Sequence, residues 1–246
     1  MKSGSRLFSQ ATVKGVSTET SMAKCKSLEA AIPRLREVFH HKSNNEHVFP
    51  LFSPRTHELV WKTVPIDARR QAAVLVPLVS YEGVPSLLFT TRSSHLPTHA
   101  NEVSFPGGHY DASKDQNLHD TAIREAREEL GGVEYPWDQV EILGKATPLP
   151  SIKGTPVTPV IGVLPYEISA KTFPGDDNEV TEIFYVSLMD LINMETTEYN
   201  RRFRSNIPVY PVEETKRIWG LTAVITRPLL HKLFKPVFLE QSVSKL

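Results

Sequence analysis

The chain predicts a mixed fold of strands with a few helices, α/β or α+β, and three observations carry that reading. From Gln71 onward, short apolar and β-branched runs alternate with turn residues. One segment, 118–130, instead repeats its apolar residues every four positions, as a helix with one packed face does. At 246 residues, with 40% hydrophobic and 23% charged side chains, the chain is long enough for one sizeable domain plus tails.

Taken in order, residues 1–26 are rich in Ser, Thr and Lys, poor in acids and without periodicity, which predicts a disordered tail. This composition loosely resembles a mitochondrial presequence, but a convincing amphipathic Arg-rich stretch is missing. Ser27 is placed to cap a short helix over 27–39, with Pro33 disturbing its middle. Residues 41–66, with prolines at 50, 54 and 65, read as a linking segment, so that 27–69 is an N-terminal helix and linker. Ala72–Tyr81 and Pro85–Thr91 are strands joined as a hairpin at Glu82-Gly83. A helix follows over Leu118–Leu130, then strands over Val140–Thr147, Val157–Leu164 and Glu179–Val186. Ser187–Asn193 starts a short helix and Phe203–Val209 is a strand. Glu213–Phe234 is a final helix that Pro228 kinks or splits. The main domain thus spans 70–238, with a tail over 239–246, and no internal repeat is evident.

Composition narrows the functions. With 28 basic and 28 acidic residues the formal net charge is zero, which gives no support for a nucleic-acid surface or a membrane-binding patch. Cys25 is the single cysteine, so no intrachain disulfide or cysteine-cluster metal site can form. Polar residues or prolines interrupt every apolar run before 18 residues, so no membrane span is expected.

The chemistry concentrates on the 118–130 helix. Leu118, Ala122, Ala126 and Leu130 form its core stripe, with Ile123 beside them. Glu125, Glu128 and Glu129 stand at i, i+3 and i+4 and so share the other flank. Like charges at these spacings repel by about 0.2–0.5 kcal/mol per pair. The alternative reading is a solvated face laced by an Arg124–Glu128 pair. Pro106-Gly107-Gly108 before the helix and Gly131-Gly132 after it argue instead for a built site, since glycines permit close backbone approach and end helices. A cation that neutralises the three carboxylates accounts for both features, and hard oxygen ligands favour Mg²⁺ or Mn²⁺.

Gly108 followed by Arg124-Glu125-Ala126-Arg127-Glu128-Glu129-Leu130-Gly131 resembles the signature of the Nudix hydrolases, which cleave nucleoside diphosphates linked to another group. The loop from Gly108 to Arg124 is two residues longer than usual and lacks the usual glutamate; Asp111 and Asp115 are the nearest acids. The segment Leu87–Gly108, reading LLFTTRSSHLPTHANEVSFPGG, is similar to one that marks the coenzyme A diphosphatase subgroup, with Asn101 where a glycine is common. Pro156–Gly162 and Ile218–Ala223 are similar to later landmarks of that subgroup, so the resemblance covers roughly residues 70 to 235.

The resemblance implies an α/β/α sandwich with a mixed β-sheet. It also implies divalent-metal hydrolysis of the pyrophosphate of coenzyme A, acyl-CoA or oxidised CoA, giving adenosine 3′,5′-bisphosphate and (acyl-)4′-phosphopantetheine. NADH, ADP-ribose or another nucleotide diphosphate is the nearer alternative substrate. A non-catalytic nucleotide-sensing module is the more distant alternative, against which the complete glutamate set argues. Glu125 and Glu129 are the principal expected ligands, Glu128 shares an ion, and the carbonyl of Gly108 faces it. Arg124 orients a glutamate through a charge-assisted hydrogen bond. The general base is a box glutamate, such as Glu125 or Glu128, or else Glu179 or Glu182, at the start of a strand that the family places near the site. For substrate, Arg92 offers a fork suited to phosphate, while Ser93 and Lys153 lie in segments that resemble substrate-facing ones. His99 and Glu102 share the subgroup segment without an assigned role, and Trp219 is expected in the core.

Ser244-Lys245-Leu246 reads as the tripeptide recognised by the peroxisomal import receptor, an address that agrees with a CoA-rich compartment.

Overall fold

The computed structural model describes residues 26–40, 48–67, 69–95, 100–132 and 134–239. Nearly all of the expected N-terminal tail, His99 and Ser244-Lys245-Leu246 lie outside them. The elements run α1 (Leu28–His40), β1 (Val48–Phe49), α2 (Pro54–Trp61), β2 (Ala72–Tyr81), β3 (Val84–Arg92), β4 (Val103–Ser104), β5 (Gly107–His109) and α3 (Leu118–Leu130). There follow β6 (Glu141–Ala146), β7 (Leu149–Pro150), β8 (Pro156–Ile168), β9 (Val180–Ser187), α4 (Leu188–Met194), β10 (Thr196–Asn200), β11 (Ser205–Pro211), β12 (Arg217–Ile218) and α5 (Gly220–Leu229). A π-turn over Leu230–Phe234 leads to α6 (Lys235–Phe238). Among the described residues no helix is long and apolar enough to cross a membrane.

The main sheet is mixed, with strand order β1-β6-β8-β2-β3-β4. β2 runs parallel to β8 and antiparallel to β3, and β5 and β9 add to β2 and β3. Successive strand residues point to opposite faces, so each face has its own core. On one face Ala73, Leu75, Val79 and Leu88 pack on Ala122, Ala126 and Leu130 of α3. On the other, Val76, Leu78, Leu87, Phe89 and Phe184 pack with Leu35 of α1, Leu191 of α4, Ile225 of α5 and Phe234. Helices on both faces of a mixed sheet make the expected α/β/α sandwich. β10, β11 and β12 form a second, small antiparallel sheet.

Three expectations are corrected. The linking segment contains β1, parallel to β6, and the helix α2, whose Ser53 cap accepts the Thr56 amide hydrogen bond while Pro54 begins the first turn. Proline there starts a helix, because the amide it lacks would have had no intrahelical partner. The last helix begins at Gly220 rather than Glu213, because 212–218 turn back to pair β12 with β11. Pro228 sits inside α5 and the π-turn follows directly, consistent with the missing Pro228 amide. Pro33, in contrast, leaves α1 continuous. Leu28, Ala31, Leu35 and Phe39 lie on one face of that helix and are buried, so packing offsets the one hydrogen bond lost.

α1 therefore belongs to the core of the sandwich. Leu35→Ala, at a fully buried position, is expected to destabilise the protein by about 2–5 kcal/mol. Leu59→Ala, at a site 56% exposed, is expected to change stability by less than about 0.5 kcal/mol. Equal denaturation midpoints for the two variants would show that α1 does not pack as described.

Candidate metal-binding and catalytic site

α3 is set by its ends. Asn117 Oδ1 accepts from the His119 and Asp120 amides, and Asp120 Oδ2 accepts from the Asn117 amide, a reciprocal cap. Gly131, at φ +70°, ends the helix. Between these ends the apolar stripe is buried on β2, which turns Glu125 and Glu129 toward the edge where β5, β3 and the start of β9 meet.

Glu129 is 3% exposed, and its Oε2 has no hydrogen-bond partner. Arg92 Nη1 lies 3.9 Å from Oε1. Burial pushes the Glu129 carboxyl up to about 8; Arg92 and the Gly107 amide oppose the shift, and the nearby charges of Glu179 and Glu125 add to it. Burial also raises the Glu125 carboxyl, against the pull of Arg124, whose Nη1 donates to Glu125 Oε1 at 2.8 Å. Glu128 lies at the exposed rim of the same helix, 3.1 Å from Arg124 Nη1. The expected shared flank is thus a buried carboxylate, a half-buried one and a third at the exposed rim.

Arg124 is held from the other side by Asp115. Its Nε and Nη2 donate to Asp115 Oδ1 and Oδ2 at 2.8 and 2.9 Å, and Nη2 also reaches the His109 carbonyl at 3.1 Å. Asp115 is 4% exposed and takes further hydrogen bonds from Thr121 Oγ1 and the Asp111 amide. The Arg124 guanidinium holds the Asp115 carboxyl far below the usual carboxylate range. Arg124 therefore orients Glu125, as expected. The acid that orients Arg124 in turn went unassigned in the sequence, although its position in the loop was the available signal.

Gly108, on β5, pairs with Ala73. A Cβ there would stand 2.4 Å from the Glu125 carboxylate, so the position requires glycine.

The remaining candidates separate. Arg92 ends β3 beside Glu129 and is partly exposed. Ser93 is 2% exposed and its Oγ accepts from the His95 amide, so the hydroxyl points inward rather than toward a substrate. Lys153 is exposed and makes no ion pair with a described residue. Glu179 is exposed on a loop pinned to the end of α3 by the Gly175 and Asp176 amides, which donate to Leu130 and Glu129 carbonyls. Its charge raises the pKa of both Glu125 and Glu129.

Glu182 departs from expectation. It shares with Phe184 the sheet face away from α3, and Lys216 Nζ holds it at 2.7 Å. The structure thus brings Glu179, and not Glu182, to the α3 carboxylates. Trp219 is also corrected: it is 36% exposed, with the Arg217 guanidinium 5.4 Å from its ring centre.

A family model described as the NUDIX domain matches residues 69–206. The chain belongs to the Nudix family. It is 39% identical over 167 residues to an uncharacterized Nudix hydrolase, NudL, from Yersinia pestis (strain Pestoides F), covering 67% of this chain and 80% of that protein. The corresponding NudL of Yersinia pseudotuberculosis (serotype O:1b, strain IP 31758) gives the same figures. Among solved structures, a Nudix hydrolase from M. smegmatis, RenU, aligns with a TM-score of 0.47 at 16% identity, covering 70% of this chain and 90% of that one. Nudix enzymes act on nucleotide-derived diphosphates and generally use divalent cations such as Mg²⁺ or Mn²⁺.

Such a cation fits the Nudix helix here. Among the described residues no three acidic, His or Cys side chains already converge as a ready coordination shell. Yet Glu129 Oε2 is a buried carboxylate oxygen with no partner, and Glu125 is a second desolvated carboxylate within electrostatic reach. Both are hard oxygen donors that gain from a nearby dication.

The Glu129 shift gives a pH dependence of defined sign. Its folded pKa, about 8, lies above the ordinary 4.5, so in metal-free protein its stabilising contribution is full below pH 4.5 and lost as pH rises through 8. Glu129→Gln is expected to flatten that loss in urea titrations across this range. Excess Mg²⁺ is expected to restore stability at the alkaline end in wild type but not in the variant. Identical pH slopes for the two proteins would rule out the burial described for this carboxylate.

Proposed function

We propose that the protein is a Mg²⁺- or Mn²⁺-dependent diphosphatase of coenzyme A, with acyl-CoA and oxidised CoA in the same substrate class. The supporting observation is where the Leu87–Gly108 segment runs. Its described residues include most of β3, all of β4 and the first residues of β5, and so set Arg92 against Glu129 and Gly108 against Glu125. The stretch that resembles the CoA diphosphatase subgroup is therefore one wall of the carboxylate site.

Glu125, Glu128, Glu129 and the Gly108 carbonyl would hold the ion, which when bound polarises the pyrophosphate and acidifies a water. Arg124, fixed by Asp115, holds Glu125 in place. Arg92 keeps part of its guanidinium open and supplies charge to a phosphate. Glu179 is a carboxylate outside α3 whose charge reaches both Glu125 and Glu129, and it is assigned the proton from the attacking water. Water adds to one phosphorus, the bridging P–O bond breaks, and the products are adenosine 3′,5′-bisphosphate and (acyl-)4′-phosphopantetheine.

Purified protein incubated with Mg²⁺ is expected to cleave CoA in preference to NADH, ADP-ribose and dinucleoside polyphosphates, with products resolved by chromatography. Glu179→Gln is expected to lower kcat by about 10²–10⁴-fold, while Glu182→Gln leaves the pH profile unchanged. Glu125→Gln and Glu129→Gln should abolish Mg²⁺ uptake in calorimetry. Preference for NADH or ADP-ribose overturns the substrate, and tight nucleotide binding without turnover identifies a sensor.

We also propose that Ser244-Lys245-Leu246 delivers the protein to peroxisomes. A tagged protein lacking these three residues is expected in the cytosol. Unchanged localisation would remove the address.

A further inference from the structure

β10 and β11 join through a turn that carries Arg201, Arg202, Phe203 and Arg204. All four are exposed, Phe203 to 39%, and Tyr199 just before them is 66% exposed. None of the three arginines makes an ion pair with a described residue. The neighbouring acids are already engaged: Glu198 pairs with Arg217 at 2.9 Å, and Glu195 with Arg227 at 3.0 Å and His231 at 2.7 Å. The turn thus keeps an uncompensated positive charge on a chain whose net charge is zero.

This knuckle is also preorganised. Asn200 Oδ1 accepts from the Arg202 and Phe203 amides at 3.0 and 3.1 Å, and Arg204 holds φ +48°. Five residue pairs join β10 to β11, and β12 braces the far end of β11. At about 3.3 Å per residue, β11 spans roughly 20 Å between the knuckle and Pro211, the end nearer Glu182 and Lys216. The knuckle therefore stands apart from the carboxylate site.

A convex tip of guanidinium groups and amphipathic rings suits a flat anionic interface. Tyr side chains settle at the headgroup level of a bilayer, Phe reaches the acyl boundary, and arginine forks bind lipid phosphates. Single-stranded nucleic acid is held differently, in a charged groove with successive stacking platforms, and a projecting turn has none. We propose that the knuckle of Tyr199, Arg201, Arg202, Phe203 and Arg204 docks the protein reversibly on an anionic phospholipid surface. Three basic residues near such a surface raise partitioning on the order of 100-fold over neutral lipid, and salt screens the effect.

The test is co-sedimentation of the full-length protein with phosphatidylcholine vesicles, with and without phosphatidylserine, at low and high salt. Wild type is expected to bind only the phosphatidylserine vesicles and to be released by salt. The triple variant R201E/R202E/R204E is expected to lose about 100-fold in partitioning, and Phe203→Ser to weaken binding while retaining its salt dependence. Circular dichroism and urea denaturation, measured alongside, report whether each variant is folded. Failure of wild type to bind, equal binding by the folded triple variant, or tighter binding to a single-stranded oligonucleotide than to vesicles would each overturn the proposal. None of these outcomes depends on which diphosphate the enzyme hydrolyses.

Discussion

Arg124 and Asp115 form the contact on which the site depends. A guanidinium clasped through two nitrogens by a buried aspartate cannot swing away, so its remaining donors stay aimed at Glu125 and Glu128. That fixed charge lets α3 present carboxylates at i, i+3 and i+4 that would otherwise repel one another. Removing Asp115 would leave a half-buried arginine with no fixed orientation, and the loop would lose its tie to the helix, since Thr121 and the Asp111 amide converge on the same carboxylate. The lengthened loop of this chain is therefore held as firmly as the helix it precedes.

A second constraint is the deliberate mismatch at Glu129. Its carboxylate is buried, with Arg92 3.9 Å from one oxygen and the Gly107 amide also acting on it, while the other oxygen is unpartnered. A group of this kind is costly in isolation and becomes favourable only with a compensating charge, so stability is traded for affinity at that position. The glycine at 108 belongs to the same design. Space denied to a Cβ is space given to the Glu125 carboxylate. Loop 174–179 completes the arrangement by hanging on the last carbonyls of α3, which brings Glu179 to the pair without a dedicated element.

The C-terminal part of the chain builds a separate lock. Lys216, on the turn between β11 and β12, pairs with Glu182 and Glu213 and lies 4.7 Å above the Phe184 ring. Its charge is spent on the sheet face opposite α3, joining the small sheet to β9. α1 closes the same face from the other end of the sequence through Leu28, Ala31, Leu35 and Phe39. The sandwich is thus finished by segments at both ends of the described chain.

Much of this was legible from local pattern. The bounds of α3 follow from a four-residue apolar repeat from Leu118 to Leu130 that stops at Gly131, because helix periodicity and end signals are properties of neighbouring residues. The hairpin of β2 and β3, and the acidic flank itself, are legible for the same reason. What sequence alone left undecided depends on which face of a strand meets which face of a helix. Glu179 and Glu182 are three residues apart and of the same type, yet strand alternation and the pinned loop send them to different sides of the sheet. The exposure of Trp219 and the burial of Ser93 depend on how their segments sit in the fold: the Ser93 amide donates to the Glu179 carbonyl, 86 residues away, while Trp219 stays at the surface under the Arg217 guanidinium. Asp115 is the same case: its composition as a loop acid was plain, but its role needed the fold to bring it within reach of Arg124.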